Sequence, residues 1–231
     1  MSQGRWPGIG KAWSSGTITL PYYVATGTAT SSVNAISVSW PTHQIGDLGI
    51  LAIETANQPI TTVSGWTYIG GIGVGTAGDT TAVAVNVFYR VATSSSESAA
   101  SVADSGNHTL GVITTYRGVN GTVLDGSVGT GTTASGTSVA ASSITTSYAN
   151  SLVIAVAASG TDTSTPQFSS FTNSNLSSIG IRTNVATSTG NGGALAVADG
   201  GLATAGSSGT TTASYSSTKE SAAVQFAIRG I

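Results

Sequence analysis

Two histidines, His43 and His108, nine carboxylates and seven Lys or Arg residues are what this 231-residue chain offers for acid–base chemistry. It has no cysteine, which removes thiolate nucleophiles, disulfides and thiolate metal sites together. A Ser-His-Asp hydrolase needs its serine on a sharp turn with the other two groups converging on it, and no G-x-S-x-G occurs. Both histidines sit at loop-like positions and are expected to be exposed to solvent. Glycoside hydrolysis needs two carboxylates facing across a cleft. The acids Asp47, Glu54, Asp79, Glu97, Asp104, Asp125, Asp162, Asp199 and Glu220 are scattered instead of clustered. Asp79, Asp104 and Asp162 lack the loop pattern that gathers oxygen ligands for calcium, and they read as turn caps. Gly73-Val74-Gly75-Thr76-Ala77-Gly78 matches G-x-G-x-x-G, but a strand-like run from Thr81 follows it where a phosphate site needs a helix N-terminus. Neither Lys11 nor Lys219 lies in a P-loop frame. Arg117 and Arg229 end two similar runs and read as structural. The expectation is a protein without catalytic residues, metal or cofactor, and not an enzyme.

The elements that would position these groups are strands. Val33 to Trp40 and Ala82 to Tyr89 alternate apolar and polar residues at the period of two that a half-buried strand requires. Gly70-Gly71, Gly75 to Asp79 and Asn191-Gly192-Gly193 supply turns between such runs. No stretch carries helical apolar spacing with good helix formers. Leu48 to Ile53 is echoed by Leu152 to Ala157, and Leu110 to Val119 by Ala222 to Ile231. These echoes predict an all-β, antiparallel β-sandwich built from two related halves, 17–125 and 137–231, joined by a Gly/Thr/Ser linker at 126–136. Two sequential sandwiches and one sandwich with sheets mixing strands of both halves are both compatible with the repeat.

Only 7% of residues are charged, against roughly a quarter in ordinary soluble domains. Solubility then rests on Ser and Thr hydroxyls, a surface with little self-repulsion that suits packing against neighbours. Seven cations spread along the chain make no basic patch, so nucleic acid is not expected as a partner. The longest apolar runs fall far short of the roughly 20 residues that cross a bilayer, so no membrane partner is expected either. The first 16 residues differ in character. Arg5, Trp6, Lys11 and Trp13 stand in a Gly/Ser/Pro context with no acid before Asp47, which suits an N-terminal arm that docks on a partner. Met1 to Pro7 lacks the apolar core of a secretory signal.

The block Gly46 to Ile53, followed by Ile60 to Thr67, Val87 to Ala92 and Thr115 to Val119, resembles a β-sandwich domain of tailed-bacteriophage virion proteins, among them head-decoration, minor tail and tail-fibre proteins. The similarity covers residues 33 to 125, and the second half only as its weaker repeat. It implies a jelly-roll-like fold and a place on the outer surface of a virion, with synthesis in the host cytoplasm and no signal peptide. It further implies a non-enzymatic structural role, foremost as a capsid decoration or cement protein. The partners would be the major capsid or a tail protein and sister copies, in a homo-oligomer such as a trimer. The alternative is a tail-fibre or receptor-binding, carbohydrate-binding adhesin, in which Trp66, Tyr22 or Tyr23 stacks on a glycan.

Overall fold

The computed structural model describes residues 18–231, so the arm residues Arg5, Trp6, Lys11 and Trp13 lie outside the described part. Among the described residues there are seventeen strands and no helix. The first eight are β1 (Tyr22–Thr26), β2 (Thr30–Ser32), β3 (Ile36–Val38), β4 (Leu48–Thr55), β5 (Thr67–Val74), β6 (Val83–Val91), β7 (Ala100–Val102) and β8 (Thr109–Arg117). The rest are β9 (Val119–Leu124), β10 (Gly129–Ala141), β11 (Thr145–Thr146), β12 (Ser151–Ser159), β13 (Phe168–Thr172), β14 (Ser177–Thr187), β15 (Gly193–Leu202), β16 (Gly206–Ser207) and β17 (Thr211–Gly230).

Two large antiparallel sheets pack face to face as a sandwich. The first has the order β1-β8-β4-β6-β5, with β2 also on β8. The second has the order β10-β17-β12-β15-β14, with β9 and β13 also on β17. Every strand of the first sheet comes from residues 22–117 and every strand of the second from 119–230. The chain changes sheets at Gly118, whose φ of 77° is one that L side chains rarely adopt. The fold is therefore one sandwich in which each sheet is drawn from its own stretch of chain, an arrangement neither sequence alternative described. The 126–136 segment also departs from expectation. From Gly129 it is β10, paired with β17 through Gly129↔Gln225 to Thr133↔Ser221, because a distant strand satisfies its backbone whatever its own composition.

Period-two patterning explains the layers. On β4, Leu48, Ile50 and Ala52 face the second sheet, as do Val83, Val85 and Val87 of β6 and Leu110 and Val112 of β8. They meet Leu152, Ile154 and Val156 of β12, Leu195 and Val197 of β15, and Val224, Phe226 and Ile228 of β17. The other face of the first sheet, with Leu51, Ile53, Phe88 and Ile113, is covered by the β3–β7 ladder, Ile60, Val63, Trp40 and Trp66. The other face of the second is alanine-rich (Ala155, Ala157, Ala194, Ala196, Ala198, Ala223). Past register shifts at Thr133 and Gly136, β10 and β17 supply Val139, Ala141, Ala213 and Tyr215 to cover it, together with Phe168 and Phe171 of β13. Burial on both faces is why β4 and β12 read as continuous apolar runs.

The connection into the second sheet is held by Asp125, a buried carboxylate that accepts from the Ser147 and Tyr148 N–H groups (2.8 and 3.1 Å) and from the Ser151 hydroxyl (2.7 Å). Asp125→Ala should cost about 2–3 kcal/mol by stranding those donors, read from the urea midpoint at constant m-value.

Candidate functional site

The charged residues are mostly withdrawn from the surface. Asp47 accepts a bidentate pair of hydrogen bonds from Arg117 (2.7 Å each), and Asp199 accepts the same from Arg182 (2.8 and 2.7 Å). Arg90 reaches Glu97 at 2.6 Å. Burial alone would raise the carboxyls of Asp47 and Glu97. Arg117 and the Gln44 N–H hold Asp47 below its ordinary value, and the Thr93 and Ser94 donors with Arg90 do the same for Glu97. Arg117 thus has the structural role its sequence position suggests. Arg229 has a comparable one, its guanidinium lying 3.4 Å over the Tyr148 ring. Of the three acids read as turn caps, Asp104 shows the bond directly, accepting the Gly106 N–H at 2.7 Å. Among the described residues only Asp79, Asp104 and Asp162 are charged and exposed.

Both histidines correct the expectation of exposure. His43 is buried beside Trp40; its Nε2 accepts the Glu97 N–H (3.2 Å), so its Nδ1–H donates to the Pro41 carbonyl (2.7 Å). His108 is wholly buried, with Nε2 3.0 and 3.1 Å from the two carboxyl oxygens of Glu54, which is wholly buried as well. Glu54 continues the inward register of Leu48, Ile50 and Ala52, so it points between the sheets. A Cβ at Gly193 of β15 would overlap its carboxyl group, so a side chain there would displace the carboxyl from its place.

The proton on His108 Nδ1 follows from its neighbours. Asn107 Oδ1 accepts the Asn191 backbone N–H at 2.9 Å, so His108 Nδ1, 3.1 Å from the same oxygen, is the donor to it. Burial pushes the Glu54 carboxyl up to about 7 against the lowering pull of His108. The network continues through the Asn191 amide to the Gly78 carbonyl (2.6 Å), tying the two sheets together at one end.

Two clefts among the described residues bear on a binding site. One, of ≈ 380 Å³, lies between the 58–62 and 103–105 loops and has Asp104 as its one acid. The other, of ≈ 180 Å³, lies on the seam where β1 of the first sheet meets β14 and β15 of the second. Leu20, Tyr22, Tyr23, Ser177, Ser178, Arg182 and Asp199 line it. Neither cleft brings two carboxylates together or reaches Glu54 or His108, so the buried pair has no access to a substrate through them. Among the described residues no three His, Asp or Glu side chains gather as a metal site. Gly73 to Gly78 is the end of β5 and the turn into β6, with no helix to follow.

Of the aromatics suggested for sugar stacking, Trp66 is half-buried with its ring 5.2 Å from that of Trp40 and belongs to the cover of the first sheet. Tyr23 is half-buried beneath the Arg182 guanidinium, 4.8 Å from the ring centre. Tyr22 is 53% exposed. Composition did not single out Arg182 or Asp199. Register could have found Asp199, which follows Leu195 and Val197 on the inward face of β15. Comparison of the chain with protein-family models, with curated proteins and with solved structures gives no match.

Proposed function

We propose that this chain is a non-enzymatic structural protein of the exterior of a phage particle, foremost a capsid decoration or cement protein that buries its faces against the major capsid protein and sister copies. The observation that carries the reading is the disposal of charge. Among the described residues an already sparse set of ionic groups is mostly paired or withdrawn, and apart from Asp79, Asp104 and Asp162 the exposed surface is left largely to Ser, Thr, Gly and backbone. Such a surface gives up little side-chain entropy and desolvates few charges when covered, so broad contact can stabilise a shell by mass action. We read the sandwich as jelly-roll-like and as two related halves. The orders β8-β4-β6-β5 and β17-β12-β15-β14 correspond, and the β3–β7 and β11–β16 ladders flank them at matching places in the chain.

Purified protein added to particles made without it should co-sediment with heads and raise the temperature at which they release DNA. Because few charges are available, binding should change little with salt. Absence of binding to any part of the particle would refute the assignment, and binding confined to tails would move it to the tail. A second reading, a carbohydrate-binding adhesin, is favoured by one feature, the exposed ring of Tyr22.

A further inference from the structure

We infer that Asn120 is a site of spontaneous covalent modification, at which the backbone nitrogen of Gly121 displaces the side-chain amide, and that the fold shields the other Asn-Gly pair, Asn191-Gly192, from the same reaction. Asparagine before glycine is the sequence most open to this attack, because no Cβ crowds the nitrogen. The Gly121 nitrogen gives up its proton to solvent and bonds to Asn120 Cγ. The Cγ–Nδ2 bond breaks, Nδ2 leaves as ammonia, and a five-membered succinimide closes. Water then opens the ring at one carbonyl or the other, leaving aspartate or isoaspartate, in which the backbone runs through the former side chain.

The structure places Asn120 for this step. In the ladder between β9 and β17, Val119 faces Gly230 and Leu124 faces Ile228, and the register shifts between them, so residues 120–123 have no partner across the ladder. Gly121 and Thr122 are exposed, and apart from its chain neighbours nothing lies within 4 Å of where a Gly121 Cβ would stand. Asn120 Oδ1 accepts the Thr122 N–H at 3.0 Å. That bond folds the side chain back over the intervening peptide, which carries Cγ toward the Gly121 nitrogen, and it draws electrons from the carbon under attack.

Asn191-Gly192 has the same sequence in opposite surroundings. The Asn191 Nδ2 donates to the Gly78 carbonyl at 2.6 Å and its backbone N–H to Asn107 Oδ1 at 2.9 Å. Gly192 is buried, and its N–H donates to the Thr189 carbonyl at 3.0 Å. Attacking nitrogen and leaving amide are both held, so reaction there waits on a local opening that breaks these bonds. Modification at Asn120 adds a carboxylate to a surface whose exposed charges, among the described residues, are Asp79, Asp104 and Asp162. The exterior thus becomes more acidic as the protein ages, and faster at higher pH, because the attacking nitrogen must lose its proton.

Incubation of the intact protein at mildly alkaline pH tests this, with peptide mapping by mass spectrometry to read the amide-to-acid exchange at each asparagine and anion exchange to separate the acidic product. In the folded protein Asn120 should convert and Asn191 should convert at least about tenfold more slowly, whereas in guanidinium the two should convert at similar rates. Gly121→Ala should slow conversion at Asn120 by about tenfold or more, by crowding the attacking nitrogen. Thr122→Pro, which removes the N–H from Oδ1, should slow it in the folded protein and leave it unchanged in guanidinium, a contrast that sequence alone would not give. Equal rates at Asn120 and Asn191 in the folded protein, or an Asn120 that converts in guanidinium and is inert in the fold, would overturn the assignment.

Discussion

His108→Leu is expected to lower the unfolding free energy by about 3–5 kcal/mol, because it leaves the Glu54 carboxyl buried between the sheets without its partner. The loss should exceed that of removing the whole pair. In the double variant Glu54→Leu/His108→Leu no polar group is stranded, and most of the stability should return. Urea denaturation of the two variants and the parent measures both outcomes. A single variant within about 1 kcal/mol of the parent would mean that the carboxyl finds water, and that the network is not the tie between sheets described above.

Phe226→Ala should be comparably severe, about 3–5 kcal/mol, for a different reason. Phe226 is 1% exposed in the core between the sheets, where neighbours on β4, β6 and β12 cannot collapse into the space it leaves. The variant also tests how the two sheets depend on each other. The four tryptophans, Trp6, Trp13, Trp40 and Trp66, all precede β5, so tryptophan fluorescence reports on the first stretch of chain while the substitution lies in the last strand. One shared core requires the fluorescence transition to shift as far as the far-ultraviolet circular dichroism transition does. A fluorescence transition left in place would mean two sheets that unfold independently.

The sequence carried its strands through periodicity, and the errors came where a distant partner decides. Alternation from Ala82 to Tyr89 became β6, and the apolar run at Leu48 became β4. The run from Val33 to Trp40 looked equally regular, yet only Ile36–Val38 is strand, because β7 offers a ladder just three residues long. The Gly/Thr/Ser stretch after Asp125 looked like a linker because local propensity says nothing of β17 on its far side. Glu54 was legible in principle, since it keeps the inward register of Ala52 two residues before it. Its partner was not, because His108 precedes β8 with no pattern to mark it. The seam cleft was partly legible: Tyr22 and Tyr23 stood out as aromatics. Arg182 and Asp199, far away in sequence, join them only once the sheets are stacked.

The molecule is one sandwich whose facing sheets come from successive stretches of chain. The test is to produce residues 1–118 and 119–231 as separate polypeptides and record their amide NMR spectra apart and mixed. Each piece alone bares the whole inner face of its sheet and should be unfolded or aggregated, and mixing should restore the dispersed spectrum of the intact protein. Either piece giving a dispersed spectrum and a cooperative melt on its own would contradict it.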